Sequence, residues 1–145
     1  MLDRHAIAAR IPHQGDMSLL DTVLEWDPTH IRCTAVSHRQ ADNPLRSAGQ
    51  LGVAAGIEYA AQAMAVHGGL LAAGGTPPRQ GYLASVRQVQ FHVPRLDDLP
   101  GALQIAAERL SGDATQVLYR FTLSSGDTPV LDGRAAVILD AGALS

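Results

Sequence analysis

The stretch SAGQLGVAAGIEYAAQAMAVHGGLL, residues 47–71, decides the fold. Its residues are small or apolar on nearly every side, and a helix that is apolar all round is either buried in a protein or spans a membrane. Ser47, followed three positions later by Gln50, fits a capping box at its start. Glu58 is the one carboxylate within it, and Gln62 follows one turn later. The pattern therefore predicts one long helix over 47–71 with an acid in its middle.

Length and composition limit what the chain does. The 145 residues favour a single domain, 1–145, and a hydrophobic content of 46% supplies a core. The net charge of −3 gives no case for binding nucleic acid or an anionic membrane surface. All eleven basic residues are arginine, so any bound anion has to be held by arginine or by backbone amides.

Several kinds of site are disfavoured. Cys33 is the single cysteine, which excludes a disulfide framework within one chain. The dispersed histidines show no metal-ligand spacing, and no glycine-rich phosphate-binding motif is present, so we expect neither a metal nor a nucleotide cofactor. The N-terminus lacks a signal-peptide pattern, and the helix is too rich in alanine for a convincing membrane span. We expect a soluble, cytoplasmic protein.

Strand-like alternation flanks the helix on both sides. Asp27-Pro28 marks a turn between two alternating runs, which predicts a hairpin. In a later run the apolar residues change face near Arg87, which a β-bulge would produce. The chain is predicted to begin with a short helix at about 3–9. The predicted strands occupy residues 19–26, 30–37, 80–93, 102–110, 117–123 and 130–141.

This order of elements favours one architecture. A flat sheet cannot cover a helix on all sides, whereas an antiparallel sheet that curls around the helix can. The prediction is therefore an α+β hotdog fold, with an antiparallel sheet of about six strands wrapped around one long central helix. The open edges of such a sheet are protected when subunits pair, so we predict at least a homodimer.

Three segments, in the same order, resemble the bacterial 3-hydroxyacyl-acyl-carrier-protein dehydratases. They are IPHQGDMSLLDTVLEWDP at 11–28, GIEYAAQAMAVHG at 56–68 and GYLASVRQVQFHVPRLDDLPGAL at 81–103. The chain is most similar to the divergent branch found with aryl-polyene pigment and related fatty-acid-like pathways. The resemblance implies a lyase of fatty-acid or polyene biosynthesis whose substrate is carried on the phosphopantetheine of acyl carrier protein, with no other cofactor.

The chain departs from this family in the loop before the helix. The family carries a catalytic histidine there in a G-H-F-P-G motif, but here the loop reads ADNPLRSAGQ, residues 41–50. Glu58 matches the family glutamate, whereas the loop histidine has no counterpart. His13 and His38, the latter on the loop, are the candidate replacements. The Pro-His-x-Gly setting of His13 matches the family, in which this histidine usually shapes the loop, so a structural role is its alternative.

Dehydration needs a base for the α-proton, an acid for the departing hydroxyl and a donor for the thioester carbonyl. Apolar neighbours are expected to desolvate Glu58, and desolvation favours a protonated carboxyl, which suits the acid. Alternatively, Glu58 has a structural role, in which it faces a polar dimer interface or a loop amide. Asn43 is a candidate donor to the thioester carbonyl, although it cannot act as a base. His67 is predicted to point away from Glu58 and to be structural.

Further residues are candidates for binding substrate. Gln62, at i+4 from Glu58, could orient that carboxyl or a water, or could form a contact across a dimer. Gly49, at the predicted helix start, could present backbone amides to a carbonyl oxygen or allow close packing. Tyr82 lies beside the expected path of an acyl-pantetheine arm. Three arginines could meet an acidic carrier protein, although a solvated face is the ordinary explanation for such residues: Arg79, Arg87 and Arg95.

Two other functions fit the same fold. Many hotdog enzymes with one carboxylate on the helix and a nearby asparagine hydrolyse acyl-CoA thioesters. Alternatively, a subunit that lost the loop histidine supports an active paralogue as its non-catalytic partner in a heterodimer. The missing histidine speaks for both alternatives, and assays of product and of co-expression separate them.

Overall fold

The computed structural model describes residues 1–9, 18–71, 81–113 and 115–139. Two short 3₁₀ turns, Ser37–Arg39 and Val53–Ala55, accompany two α-helices and six strands. The helices are α1 (Arg4–Ala8) and α2 (Gly56–Leu71), and the strands are β1 (Thr22–Trp26), β2 (His30–Ala35), β3 (Gly81–Phe91), β4 (Leu103–Gly112), β5 (Gln116–Ser125) and β6 (Thr128–Leu139).

The six strands form one antiparallel sheet in the order β1-β2-β4-β5-β6-β3. The hairpin β1–β2 and the short first helix, which Asp3 caps by accepting a hydrogen bond from the Ala6 amide at 2.9 Å, are both as predicted. Helix α2 packs across the sheet and contacts β2, β3, β4 and β5. The predicted arrangement of six antiparallel strands and one long helix is confirmed.

The core lies between α2 and the inner face of the sheet. The alternation predicted for β4 and β5 is confirmed, because every second residue is buried along β5 and along β4 as far as Ala107. Gly56 opens α2 and allows a close approach to the sheet, since a Cβ atom there would lie 2.5 Å from Cδ2 of Leu131. The buried side chains of β4 and β5 include Leu103, Ile105, Ala107, Val117, Tyr119, Phe121 and Leu123.

The predicted start of the long helix is wrong. Ser47 and Gln50 exchange two backbone hydrogen bonds, of 2.8 and 3.0 Å, around a tight turn, so the capping box does not form. Ala48 and Gly49 have φ angles of 53° and 74°, a left-handed conformation that no α-helix contains. The Leu51 amide then donates to Asp97 at 2.9 Å. Long-range contacts therefore hold this segment outside the helix.

Strand β3 contains the predicted irregularity near Arg87. Its register against β6 shifts twice, between Leu83 and Ser85 and between Arg87 and Gln90. Gln88, inside the second shift, has a φ of 54°. The predicted bulge is confirmed, and β3 forms one edge of the sheet.

Helix α2 is not equally buried around its axis. Most of its residues are buried against the sheet, but one stripe at helical spacing is only half-buried, and Glu58 belongs to that stripe. In the part of the chain that the structure describes, no helix is long and apolar enough to cross a membrane. Besides Glu58, the half-buried stripe comprises Ile57, Ala61, Ala65 and Gly68.

Candidate active site around Glu58

Glu58 and Gln62 lie one turn apart on the same side of α2, as predicted. Gln62 is fully buried, and its Nε2 atom donates to Oε1 of Glu58 at 3.5 Å. Glu58 itself is half-buried. The expected desolvation is therefore only partial, because the stripe of α2 that carries Glu58 is not fully covered.

A backbone contact fixes the orientation of Gln62. The amide of Leu19 donates to Oε1 of Gln62 at 2.9 Å, in a buried setting. A peptide N–H can only donate, so the side-chain oxygen faces Leu19 and the nitrogen is turned towards Glu58. The hypothesis that Gln62 orients the carboxyl therefore has a geometric basis.

The carbonyl of Leu19 extends this contact into a buried chain of hydrogen bonds. Ser37 donates its Oγ–H to that carbonyl at 2.8 Å, so its oxygen accepts from the hydroxyl of Tyr59, also at 2.8 Å. Asn43 Nδ2 donates to the same Tyr59 oxygen at 3.1 Å. Burial raises the pKa of Tyr59, which keeps the donor protonated. The Leu19 peptide thus joins the Glu58–Gln62 pair to the loop before the helix.

Hydrogen bonds to the loop before the helix and to Tyr59 hold the side chain of Asn43. It is 5% exposed, and Nδ2 also donates to the Ser37 carbonyl at 2.9 Å while Oδ1 accepts from the Leu45 amide at 2.8 Å. Both N–H groups of the amide therefore have acceptors within the protein. A role in polarising a thioester carbonyl stays a prediction, and it requires one of these contacts to break.

Among the described residues, His67 and His38 are buried, and neither bonds to Glu58. His67 is fully buried, with Nε2 2.8 Å from the Asp27 carbonyl and Nδ1 2.7 Å from the Tyr119 hydroxyl. A carbonyl can only accept, so Nε2 carries the proton and Tyr119 donates to Nδ1. Burial lowers the pKa of His67, which keeps the ring neutral. The predicted structural role of His67 agrees with this geometry.

His38 occupies a second buried position. Its Nε2 lies 3.2 Å from the Leu99 carbonyl, and burial lowers the pKa of the ring. Among the residues that the structure describes, Nδ1 of His38 has no hydrogen-bond partner. His38 therefore bonds to the connection between β3 and β4 and not to the Glu58–Gln62 pair.

The remaining predicted residues lie in other elements or fall outside the described ranges. Gly49 lies in the exposed turn described above, and Tyr82 pairs through its backbone with Ile138 in the sheet. Arg95, one of the arginines predicted to meet a carrier protein, is paired with Asp97 within the chain, with Nε 3.0 Å from the carboxylate. Two predicted residues fall outside the described ranges: His13 and Arg79.

The sequence reading missed the residues that anchor the site. Ser37, Tyr59 and the Leu19 peptide carry the buried chain of hydrogen bonds, and only Tyr59 gave a signal, as the single aromatic residue within 47–71. Within the described ranges, no three histidine, cysteine, aspartate or glutamate side chains are arranged to hold a metal ion.

These observations define the class of protein. A six-stranded antiparallel sheet around one long helix is the hotdog fold, and solved hotdog structures superpose on this chain. The sequence model of the ApeP-like family, described as ApeP dehydratase, matches residues 5–142. The chain belongs to this family.

Solved structures show the same fold. The dehydratase heterocomplex ApeI:P from Xenorhabdus doucetiae superposes with a TM-score of 0.81 at 24% identity, over 92% of this chain and 90% of the other. The E. coli PaaI protein gives a TM-score of 0.63 at 12% identity, over 93% and 88%. A hypothetical thioesterase with coenzyme A from Streptococcus pneumoniae gives 0.60 at 12%, over 81% and 84%. Among curated proteins, no sequence matches this chain significantly.

Proposed function

We propose that this chain takes part in the dehydration of 3-hydroxyacyl thioesters carried on acyl carrier protein, in fatty-acid or polyene biosynthesis. Membership of a dehydratase family supports the reaction class. The observation that carries the proposal is the Glu58–Gln62 pair, whose geometry is fixed by the Leu19 peptide.

The proposed chemistry gives Glu58 the role of acid. A base removes the α-proton of the substrate, the bond between the β-carbon and its hydroxyl oxygen breaks, and Glu58 donates its proton to the departing oxygen, which leaves as water. The N–H of Gln62 then stabilises the carboxylate that remains on Glu58. The products are an enoyl thioester and water, and the carboxyl is reprotonated before the next cycle.

His13 is the proposed base. The absence of the family's loop histidine supports it, and it stands five positions before Ser18, which is buried. We expect His13→Gln to lower turnover by about 10²–10⁴-fold. His5→Gln, which changes an exposed histidine on α1, serves as the matched control and should leave turnover unchanged.

The substrate arm and a second subunit complete the proposal. The acyl-pantetheine arm runs between α2 and the sheet near Tyr82, and the chemistry needs no other cofactor. The half-buried stripe of α2 faces a second subunit, either another copy of this chain or a paralogue that bears the loop histidine. The similar structure from Xenorhabdus doucetiae is a dehydratase heterocomplex, which supports a paralogue.

One assay tests the reaction. The purified protein, alone and co-expressed with a histidine-bearing dehydratase paralogue, is incubated with 3-hydroxyacyl carrier protein, and products are identified by mass spectrometry. An enoyl product supports the proposal, and an enoyl product only with the paralogue assigns this chain to a heterodimer. Free acid and free thiol instead would show a hotdog thioesterase. No change of substrate in either preparation, with a standard dehydratase active in parallel, would refute the function.

A further inference from the structure

The outer face of the sheet, opposite α2, carries three arginines in register on neighbouring strands. Arg120 of β5 pairs directly with Arg134 of β6, and Arg134 pairs directly with Arg87 of β3. Directly paired residues of antiparallel strands project from the same face. All three side chains are exposed. We call this set, Arg87, Arg120 and Arg134, the arginine row.

The arginine row is only partly neutralised. Nη1 of Arg120 lies 3.4 Å from Glu108, and that carboxylate also contacts His30 at 3.2 Å. Within the ranges that the structure describes, Arg87 and Arg134 have no ion pair. The nearby Asp132 accepts from His92 at 2.8 Å. Two arginines of the row therefore keep their charge unpaired.

Such a row opposes folding. Like charges directly opposite each other on a sheet are destabilising. The chain as a whole has a net charge of −3, so a general attraction to anions does not explain a local concentration of positive charge. A bound anionic partner would offset the repulsion and would be attracted to this face specifically.

The surroundings of the row favour a partner with both acidic and apolar side chains. Arg87 and Arg134 line a depression of about 390 Å³ together with Leu110 and Leu118. Leu110 and Leu118 are 40% and 39% exposed. Arg134 and Arg120 also line a neighbouring depression of about 560 Å³. The face therefore joins a basic row to an apolar patch.

We propose that the arginine row is the docking surface for an acidic helix of the carrier protein that delivers the substrate. This inference rests on the proposed function, since that function names the carrier protein. Neighbouring strands lie about 4.8 Å apart, so the row spans about 10 Å across three strands. Carboxylates at positions i, i+4 and i+7 of a helix span about 10.5 Å. An acidic helix laid across the strands matches the row, and its apolar side chains meet Leu110 and Leu118.

The test compares two variants that change exposed arginines on the outer face. Arg87→Gln with Arg134→Gln removes the two unpaired charges, whereas Arg32→Gln removes an arginine that is bound to Glu25 at 2.8 Å. The probe is a purified acyl carrier protein with a 3-hydroxyoctanoyl group on its phosphopantetheine. Its affinity is measured by calorimetry at low and high salt, and enoyl formation is measured on the same samples.

The double variant should bind the carrier protein about tenfold more weakly at low salt, with the difference shrinking at high salt, and Arg32→Gln should bind like the wild type. The melting temperature of the double variant should be no lower than that of the wild type, because the repulsion is relieved. Unchanged affinity in the double variant would overturn the docking surface, even while enoyl product forms and the function stands.

Other outcomes are equally decisive. Binding that depends on the row, without enoyl product either alone or with the histidine-bearing paralogue, would refute the function and leave the docking surface standing. A wild type that does not bind the carrier protein and forms no product, alone or with the paralogue, refutes both. A double variant with a changed oligomeric state and unchanged carrier affinity would show that the row contacts another subunit, which also overturns the docking proposal.

Discussion

Helix α2 carries an ionisable side chain near each end, and the two side chains differ in burial and in hydrogen bonding. At the C-terminal end, His67 is fully buried and both ring nitrogens have partners, Tyr119 and Asp27. At the N-terminal end, Glu58 lies on the half-buried stripe, and its neighbour Gln62 is held by the Leu19 peptide. Buried polar groups in folded proteins are normally hydrogen-bonded, so the fully bonded ring of His67 fits a structural role.

The difference indicates where chemistry is possible. A catalytic acid has to reach the substrate and change its protonation state, so it needs a fixed orientation and an open side. Glu58 has both, because Gln62 orients it and the stripe on which it lies is half-buried. His67 has only the fixed orientation. We therefore expect substitutions at the two ends to affect different measurements.

The largest expected effect is on the turnover of the Glu58→Gln variant. Loss of the acid should lower the rate of enoyl formation by about 10²–10⁴-fold. The glutamine has the same shape and can still accept from Gln62, so the free energy of unfolding should stay close to that of the wild type. Glu25→Gln, on the exposed β1 strand, is the control and should retain full turnover. Full turnover in Glu58→Gln would contradict a catalytic role for Glu58.

The next effect is on the stability of the His67→Leu variant. The hydroxyl of Tyr119 and the carbonyl of Asp27 each lose their imidazole partner, and the packing at this end of the core changes. Such losses cost about 2–4 kcal/mol of unfolding free energy, measured by urea denaturation. His92→Leu changes an exposed ring and should cost less than about 1 kcal/mol. Equal losses in the two variants would contradict a structural role for His67.

The smallest effect is a dependence of stability on pH that belongs to the histidines. Burial lowers the folded-state pKa of His67 and His38 below the ordinary histidine value of about 6.5. The unfolded chain therefore takes up protons first, so stability is fully present above about pH 6.5 and falls as the pH is lowered from there towards the folded pKa values. Each buried histidine contributes a slope of up to about 1.4 kcal/mol per pH unit in that window.

Denaturation between pH 7.5 and 5.5 measures this slope. His67→Leu should reduce it. A stability that does not change across this range would contradict the neutral, buried state of both rings.

The sequence was most informative where the pattern is local. Period-two alternation placed the strands and the inward residues of β4 and β5, and the change of face near Arg87 revealed the bulge. The start of α2 could not be predicted, because the Leu51 contact with Asp97 joins residues 46 positions apart. Ser47 and Gln50 do not cap the helix, because that long-range contact and the turn at Gly49 hold the segment in another conformation.

The candidate site shows the same limit. Glu58 and Gln62 were predictable from helical spacing and from resemblance to a family, since both reside in one segment. The group that anchors them could not be predicted. The backbone N–H and C=O of Leu19 join Gln62 to Ser37, and backbone groups carry no residue-type signal. The arginine row was equally hidden, because Arg87, Arg120 and Arg134 become neighbours only through the order of the strands.

Nuclear magnetic resonance of a protein labelled at glutamate carboxyl carbons and histidine rings tests the central claim most directly. The labelled protein is titrated with a 3-hydroxyacyl-pantetheine, and Glu58→Gln and His67→Leu assign the two signals. We expect the Glu58 carboxyl resonance to shift with saturating ligand while the His67 ring resonances stay in place. A shift at His67 with no change at Glu58 would contradict the assignment of chemistry to the N-terminal end of α2.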